Sequence, residues 1–211
     1  PRLGSWSVGP PMATPRWGHT MGSLDGKLYA VGGANDVIDN LNSVEMYDPQ
    51  LGSWSYVTPM GTPRYHLSVA SLDGKLYAVG GFRYVPYTDG IRCSCGDCNS
   101  NYNYLDIVEV YDPTDNAGLG SWSYATPLGT RRGYLALASL NGKLYAAGGY
   151  SSDGCSFIIS GIRYSGEELN SVEVYDPTAN GGRGNWSYGP PMNTARQDLA
   201  LASLNGKLYA V

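Results

Sequence analysis

Four times along the chain a short apolar run meets an acidic or amide residue and a glycine, and a second apolar run follows. The meeting points are Asp25-Gly26, Asp73-Gly74, Asn141-Gly142 and Asn205-Gly206, each preceded by Ser-Leu and followed by Lys-Leu-Tyr-Ala. Asp-Gly and Asn-Gly between apolar stretches favour a type I′ turn, whose two central residues both need positive φ. The pattern therefore predicts four β-hairpins. Around the first of them, further apolar runs bounded by Gly, Pro and Asp predict strand a over 18–24, b over 27–32, c over 43–47 and d over 53–57. No segment sustains a 3.6-residue apolar period, so the chain reads as all-β.

The hairpins belong to a larger repeat. Trp6, Trp54, Trp122 and Trp186 stand 48, 68 and 64 residues apart, and Gly26, Gly74, Gly142 and Gly206 show the same intervals. The string V-E-x-Y-D-P recurs at 44–49, 108–113 and 172–177. Shared anchors with unequal repeat lengths describe a fixed scaffold carrying variable loops. The order P-M-x-T-P-R (Pro11 to Arg16), S-L-x-G-K-L-Y-A-V-G-G (Ser23 to Gly33), L-N-S-V-E-x-Y-D-P (Leu41 to Pro49) and then a Trp resembles the kelch repeat. Departures are small: Arg131 stands where other copies have Pro or Ala, and Ala147 replaces a Val. The resemblance implies a β-propeller of four-stranded antiparallel blades in one domain over 1–211. Three complete blades are expected near 18–57, 66–126 and 134–189, with a split blade made by 4–9 and 197–211. The chain opens in a strand d and stops in a strand b, and its termini read as those of a fragment without a leader.

In an a-b-c-d meander the a–b and c–d turns share one end of the blade, and the b–c loops and d–a connections share the other. All four lysines (Lys27, Lys75, Lys143, Lys207) fall at the a–b turns, whereas most arginines fall at the opposite end. Arginine, Tyr and Trp are the usual anchors of protein contacts, so the b–c/d–a face is the expected partner surface. Its candidate residues are Arg83, Tyr84, Tyr87, Arg92, Tyr102 and Tyr104 in the second b–c loop. Tyr150, Asp153, Arg163 and Tyr164 lie in the third, and Arg16, Arg64, Arg132 and Arg196 in the d–a connections. The last four recur at one place in every repeat, so a repeated structural hydrogen bond competes with partner contact there. Trp6, Trp54, Trp122, Trp186, Tyr47, Tyr111 and Tyr175 are expected to fill the blades.

Composition narrows the function. Hydrophobic residues make 42% of the chain and charged residues 15%, the balance of a folded domain. A net charge of -4 and a pI near 5.1 argue against a general nucleic-acid binder. No apolar run reaches the length of about 18 residues that a helical membrane span needs. The cysteines, Cys93, Cys95, Cys98 and Cys155, fall in the two long loops, where disulfides, a thiolate zinc site or free thiols are all open. Asn185-Trp186-Ser187 is a glycosylation sequon.

Catalytic constellations are thin. His19 and His66 are read as equivalent positions near the start of strand a, with a structural role favoured over general-base chemistry. Galactose oxidase also has kelch-like blades, but its cross-linked Tyr–Cys copper site has no counterpart in these loop cysteines. Neither the sialidase S-x-D-x-G-x-x-W box nor a phosphate-binding Gly loop is present. The chain is thus expected to be a non-catalytic interaction module without cofactor or metal, binding a protein partner and placed at the cell surface or outside the cell. Alternatives are self-assembly into oligomers through open blade edges, and the cytoplasmic substrate-recognition role that the resemblance to BTB-kelch ubiquitin-ligase adaptors implies.

Overall fold

At the first Asp-Gly pair, Asp25 and Gly26 sit at φ 50° and 75°, as a type I′ turn demands. The turn joins β1 (Thr20–Leu24) to β2 (Lys27–Val31), antiparallel, with Leu24 opposite Lys27. Two more strands, β3 (Val44–Asp48) and β4 (Ser53–Val57), complete a sheet in the order β1-β2-β3-β4. The computed structural model describes residues 4, 6–85, 102–152, 157–159, 162–164 and 166–211, with residues 102, 157–159 and 162–164 described by backbone course alone.

The second sheet holds β5 (Ser68–Leu72), β6 (Lys75–Val79), β9 (Val108–Asp112) and β10 (Ser121–Tyr124). Between β6 and β9 the chain makes a separate hairpin of β7 (Phe82–Tyr84) with β8 (Tyr102–Tyr104). The third sheet holds β11 (Ala136–Leu140), β12 (Lys143–Ala147), β17 (Val172–Asp176) and β18 (Asn185–Tyr188). Its b–c loop carries β13 (Tyr150–Ser151) paired with β16 (Glu167–Glu168), and β14 (Phe157–Ile159) paired with β15 (Ile162–Tyr164). Last come β19 (Leu201–Leu204) and β20 (Lys207–Ala210), which among the described residues pair only with each other. Residues 6–10 lie in no strand, and Trp6 is fully exposed. Residues 115–118 and 179–182 are single tight turns whose central residues sit at positive φ, not helices in any extended sense.

The innermost strands β1, β5, β11 and β19 lie side by side around an axis, and apolar side chains fill the spaces between sheets. Tyr29, Val31, Val44, Met60, Val69 and Leu76 form the core between the first and second sheets, and Tyr77, Val79, Leu135, Leu144 and Trp186 part of that between the second and third. Burial of each such side chain is worth about 1.5–3 kcal/mol. Tyr47–Trp54, Tyr111–Trp122 and Tyr175–Trp186 pack with ring centroids 5.4, 5.2 and 5.2 Å apart, the blade-filling role expected of them. Each of these tryptophans also donates its indole N–H across to the segment entering the blade: Trp122 to the Thr58 carbonyl at 2.9 Å and Trp186 to Thr126 at 3.0 Å.

The double glycine that ends each strand b has a steric cause. A Cβ on Gly32 would stand 2.6 Å from the Arg64 carbonyl oxygen, and one on Gly33 2.8 Å from that of Trp17. The backbone of the next blade passes that closely because the Gly33 N–H donates to the Arg64 carbonyl at 3.0 Å. Gly80-Gly81 meets the Arg132 carbonyl, and Gly148-Gly149 the Arg196 carbonyl, in the same way.

Candidate functional site

The recurrent arginines are buried struts. Arg16 donates to the carbonyls of Gly32 and Ser43 at 2.8 and 3.0 Å and meets Glu45 at 2.7 Å. Glu45 also accepts the N–H groups of Ala13 and Thr14 at 2.7 and 3.1 Å. Glu109 with Arg64, and Glu173 with Arg132, repeat the arrangement at 3.2 and 2.8 Å, and no side chain in these pairs is more than 1% exposed. Burial works against the charge of Glu45, but the Ala13 N–H, the Arg16 guanidinium and the Thr14 N–H outweigh it and lower its pKa. Burial pushes Arg64 down to about 10, opposed by the charge of Glu109. Arg16, Arg64 and Arg132 are therefore out of a partner's reach, and of the two roles weighed for them the structural one matches the geometry. Arg196 is half-buried and pairs with no carboxylate among the described residues.

What lies open on the b–c/d–a face is the mouth of the axis. Gly18, His66, Tyr134 and Asp198 occupy one structural position in successive repeats, at φ 60°, 49°, 56° and 53°. They are strung together by backbone hydrogen bonds: His66 N–H to the Gly18 carbonyl at 2.7 Å, Tyr134 to His66 at 3.0 Å, and Asp198 to Tyr134 at 3.0 Å. His66 is thus the counterpart of Gly18, and His19 lies one residue further along, which corrects the expected equivalence of the two histidines. Below this rim the first residues of the four inner strands line an open cavity of about 410 Å³. Burial lowers the pKa of both His19 and His66; the Arg16 charge adds to this at His19, and Asp198 opposes it at His66. The Nδ1 atom of His19 is buried without a hydrogen-bond partner among the described residues.

An aromatic network supports the rim. His66 stacks on Phe82 at 5.3 Å and lies 4.1 Å from Tyr134, centroid to centroid. Tyr65 lies 4.3 Å from Phe82 and takes the edge of Trp17 at 5.1 Å. Phe82 reaches Tyr104 at 5.2 Å, and Tyr104 reaches Tyr150 at 5.7 Å. The hairpin β7–β8 is tied to the first b–c loop by Asn40, whose side chain accepts the Tyr84 N–H at 2.7 Å and donates to the Tyr84 carbonyl at 2.8 Å. Trp17, Val37 and Ile38 stand exposed beside it.

Of the residues expected on this face, Arg83 and Tyr84 lie on β7, Tyr104 on β8 and Tyr150 on β13, Arg83 exposed and the others partly so. Tyr102, Arg163 and Tyr164 are described only by backbone, in β8 and β15. Tyr87, Arg92, Asp153, Cys93, Cys95, Cys98 and Cys155 lie outside the described residues. Asn185 is exposed on β18 beside the buried Trp186. Sequence reasoning missed Trp17, Phe82, Tyr134 and Asp198. The sequence marks this position only by its changing identity, Gly, His, Tyr, Asp, beside a neighbour that varies as much, which does not reveal a rim. Among the described residues no group of three or more His, Cys, Asp or Glu is arranged to hold a metal. No helix there is long and apolar enough to cross a membrane.

Residues 15–61, 63–129 and 131–193 each match the Kelch motif. The influenza virus NS1A-binding protein homolog of Mus musculus is 37% identical over 86 residues, 41% of this chain and 11% of that protein. An F-box/kelch-repeat protein of Arabidopsis thaliana is 28% identical over 130 residues, 62% of this chain and 30% of that protein. Kelch-like protein 28 of Mus musculus is 31% identical over 121 residues, 57% of this chain and 19% of its own length. The chain spans less than a third of each of these relatives. Blades of antiparallel strands, the glycine-lined approach between them, the buried Arg–Glu strut and the Kelch motif over most of its length place this chain in the kelch-repeat family.

Proposed function

We propose that this chain is an interaction propeller whose protein partner docks on the b–c/d–a face, centred on the axial mouth. Kelch propellers generally act as non-catalytic interaction modules. The observation that carries the choice of face is the aromatic network from Trp17 to Tyr150, partly exposed yet held by the backbone ladder of the rim. Rigid aromatic side chains bury large area on binding at small cost in ordering entropy. Tyr87, Arg92, Tyr102, Asp153, Arg163 and Tyr164, which the sequence assigns to the same b–c loops, are proposed as further contact residues.

Trp17→Ala and Tyr84→Ala are expected to weaken binding to a purified partner by about 30-fold or more, as hot-spot truncations do. Lys27→Ala, at the opposite end of the blade, is expected to leave it unchanged. Equal affinity of all three variants would remove this face from the account. The kelch-like and F-box/kelch-repeat relatives favour the cytoplasm over the cell surface, where the same face would serve the substrate-recognition role of a ubiquitin-ligase adaptor. Intact mass with and without reductant tests the compartment, since disulfides among the loop cysteines would argue for an oxidising one.

A further inference from the structure

We infer that the cleft between the first and second sheets, at the a–b/c–d end of the blades, binds a small neutral hydroxylated molecule of the sugar or polyol class, with the Tyr29 hydroxyl as its innermost contact. The site lies at the opposite end of the blades from the proposed docking face and does not rest on that reading. Its ground is a cavity with an unsatisfied polar group at its floor. The cleft has a volume of about 530 Å³, within the roughly 300–1,000 Å³ typical of ligand sites. Tyr29 lines it and is 3% exposed, yet its hydroxyl makes no hydrogen bond among the described residues. A buried hydroxyl without a partner is costly, so a ligand that supplies one gains what the fold leaves unmade.

The sheets build the cleft from inside to outside. Register puts Tyr29, Met46 and Ser55 side by side across β2, β3 and β4, so one face runs from the buried phenol to the exposed outer strand. The facing wall is Tyr111 and the turn that ends at Leu119. Tyr111 lies 5.7 Å from Tyr29, ring centroid to ring centroid, and its hydroxyl donates to the Leu119 carbonyl at 3.4 Å.

The chemistry of the walls selects the ligand. Tyr29, Tyr111, Ser55 and Asn116 bring hydroxyl and amide groups that both donate and accept, as a ligand hydroxyl does. Met46, Val57 and Leu119 offer apolar surface to the C–H face of such a molecule. Full charges are balanced. Lys27, at the mouth, is already paired with Asp48 at 3.2 Å, and Asp25 lines the same cleft. An anion would meet two carboxylates and one spent ammonium, and a cation would meet that ammonium together with Asp25. Burial raises the Tyr29 pKa to about 12, so the phenol remains a donor at neutral pH.

The next cleft, between the second and third sheets, is made of corresponding residues and differs where the ligand would sit. There the Tyr77 hydroxyl donates to that of Tyr175. Val110 stands in place of Met46, and Arg183 in place of Leu119. The unsatisfied phenol is therefore not imposed by the repeat.

The test is a titration of the full chain, its tyrosine rings labelled for NMR, with glucose, inorganic phosphate and ethylamine. Glucose is expected to shift the Tyr29 and Tyr111 signals along a saturating curve, and phosphate and ethylamine to leave them in place. Tyr29→Phe keeps the ring and removes the hydroxyl; read from Tyr111, it is expected to weaken glucose binding about tenfold. Leu119→Arg places in this wall the residue that the third blade carries there, and is expected to abolish the shifts while the melting temperature stays unchanged. Glucose shifts that never saturate, or equal affinity in Tyr29→Phe, would overturn the site. Saturable binding of phosphate or ethylamine in place of glucose would overturn the ligand class.

Discussion

The arginines divide by what surrounds them. Three of them end in a buried carboxylate that also takes two backbone N–H groups, so removing one partner strands a charge without water. Arg132→Ala is expected to cost about 3–5 kcal/mol in urea unfolding, and Arg196→Ala, which breaks no described ion pair, under about 1 kcal/mol. Equal costs would show that the strut contributes nothing. Glu45 carries the pH signature of the strut. Its folded pKa lies below the ordinary 4.5, so its stabilisation is present above that value and is lost as pH falls through the folded pKa. The melting temperature is expected to fall on acidification below about pH 4.5 and to fall less in Glu45→Gln, which has already lost it. At the alkaline end the sign reverses. Burial first, then the neighbouring Tyr111 and Asp25, push Tyr29 up to about 12, and Tyr77 reaches about 12 by burial too. Stability tied to their neutral form is complete below pH 10 and declines as pH rises toward 12, seen as phenolate absorbance appearing late and together with unfolding.

At the scale of the element, the hairpin is the unit and each blade is closed from outside by a tryptophan. Trp122 packs on Tyr111 and donates to the Thr58 carbonyl, linking β10 to the segment that enters its blade. Trp122→Ala is expected to cost about 3–5 kcal/mol, read as a lower urea midpoint. Among the described residues the hairpin β19–β20 pairs with no further strand, and most of β19 is exposed. Its amides are expected to exchange with solvent much faster than those of β5–β6; equal protection would mean that something covers them. Hairpins and strand c were legible in the sequence because their signals are local: Asp-Gly and Asn-Gly fix the turn, and V-E-x-Y-D-P recurs in each complete blade. The strut was half legible. Recurrence marked Arg16, Arg64 and Arg132, but their burial depends on Glu45, Glu109 and Glu173, which lie 29 to 45 residues away in sequence. The rim was not legible, because Trp17, His66, Phe82, Tyr134 and Asp198 come from different repeats and meet only when the inner strands line up around the axis.

At the scale of the molecule the two ends of the blades are chemically different surfaces. At the a–b end Lys27, Lys75 and Lys143 pair with Asp48, Asp112 and Asp176 at 3.2, 2.9 and 2.9 Å, the same pair repeated in each complete blade. A surface that repeats its own neutralised charges offers a partner little to distinguish one blade from the next. The b–c/d–a end differs from repeat to repeat in loop length, in aromatic content and at the rim, and it surrounds the axial cavity. We accordingly propose recognition at the second end, displayed by a scaffold whose cores and struts lie elsewhere. A photo-crosslinking amino acid placed at Tyr84 or at Lys27 compares the two ends in one experiment with the same purified partner. The account predicts a covalent adduct from position 84 and none from position 27; an adduct from position 27 of equal or greater yield would contradict it.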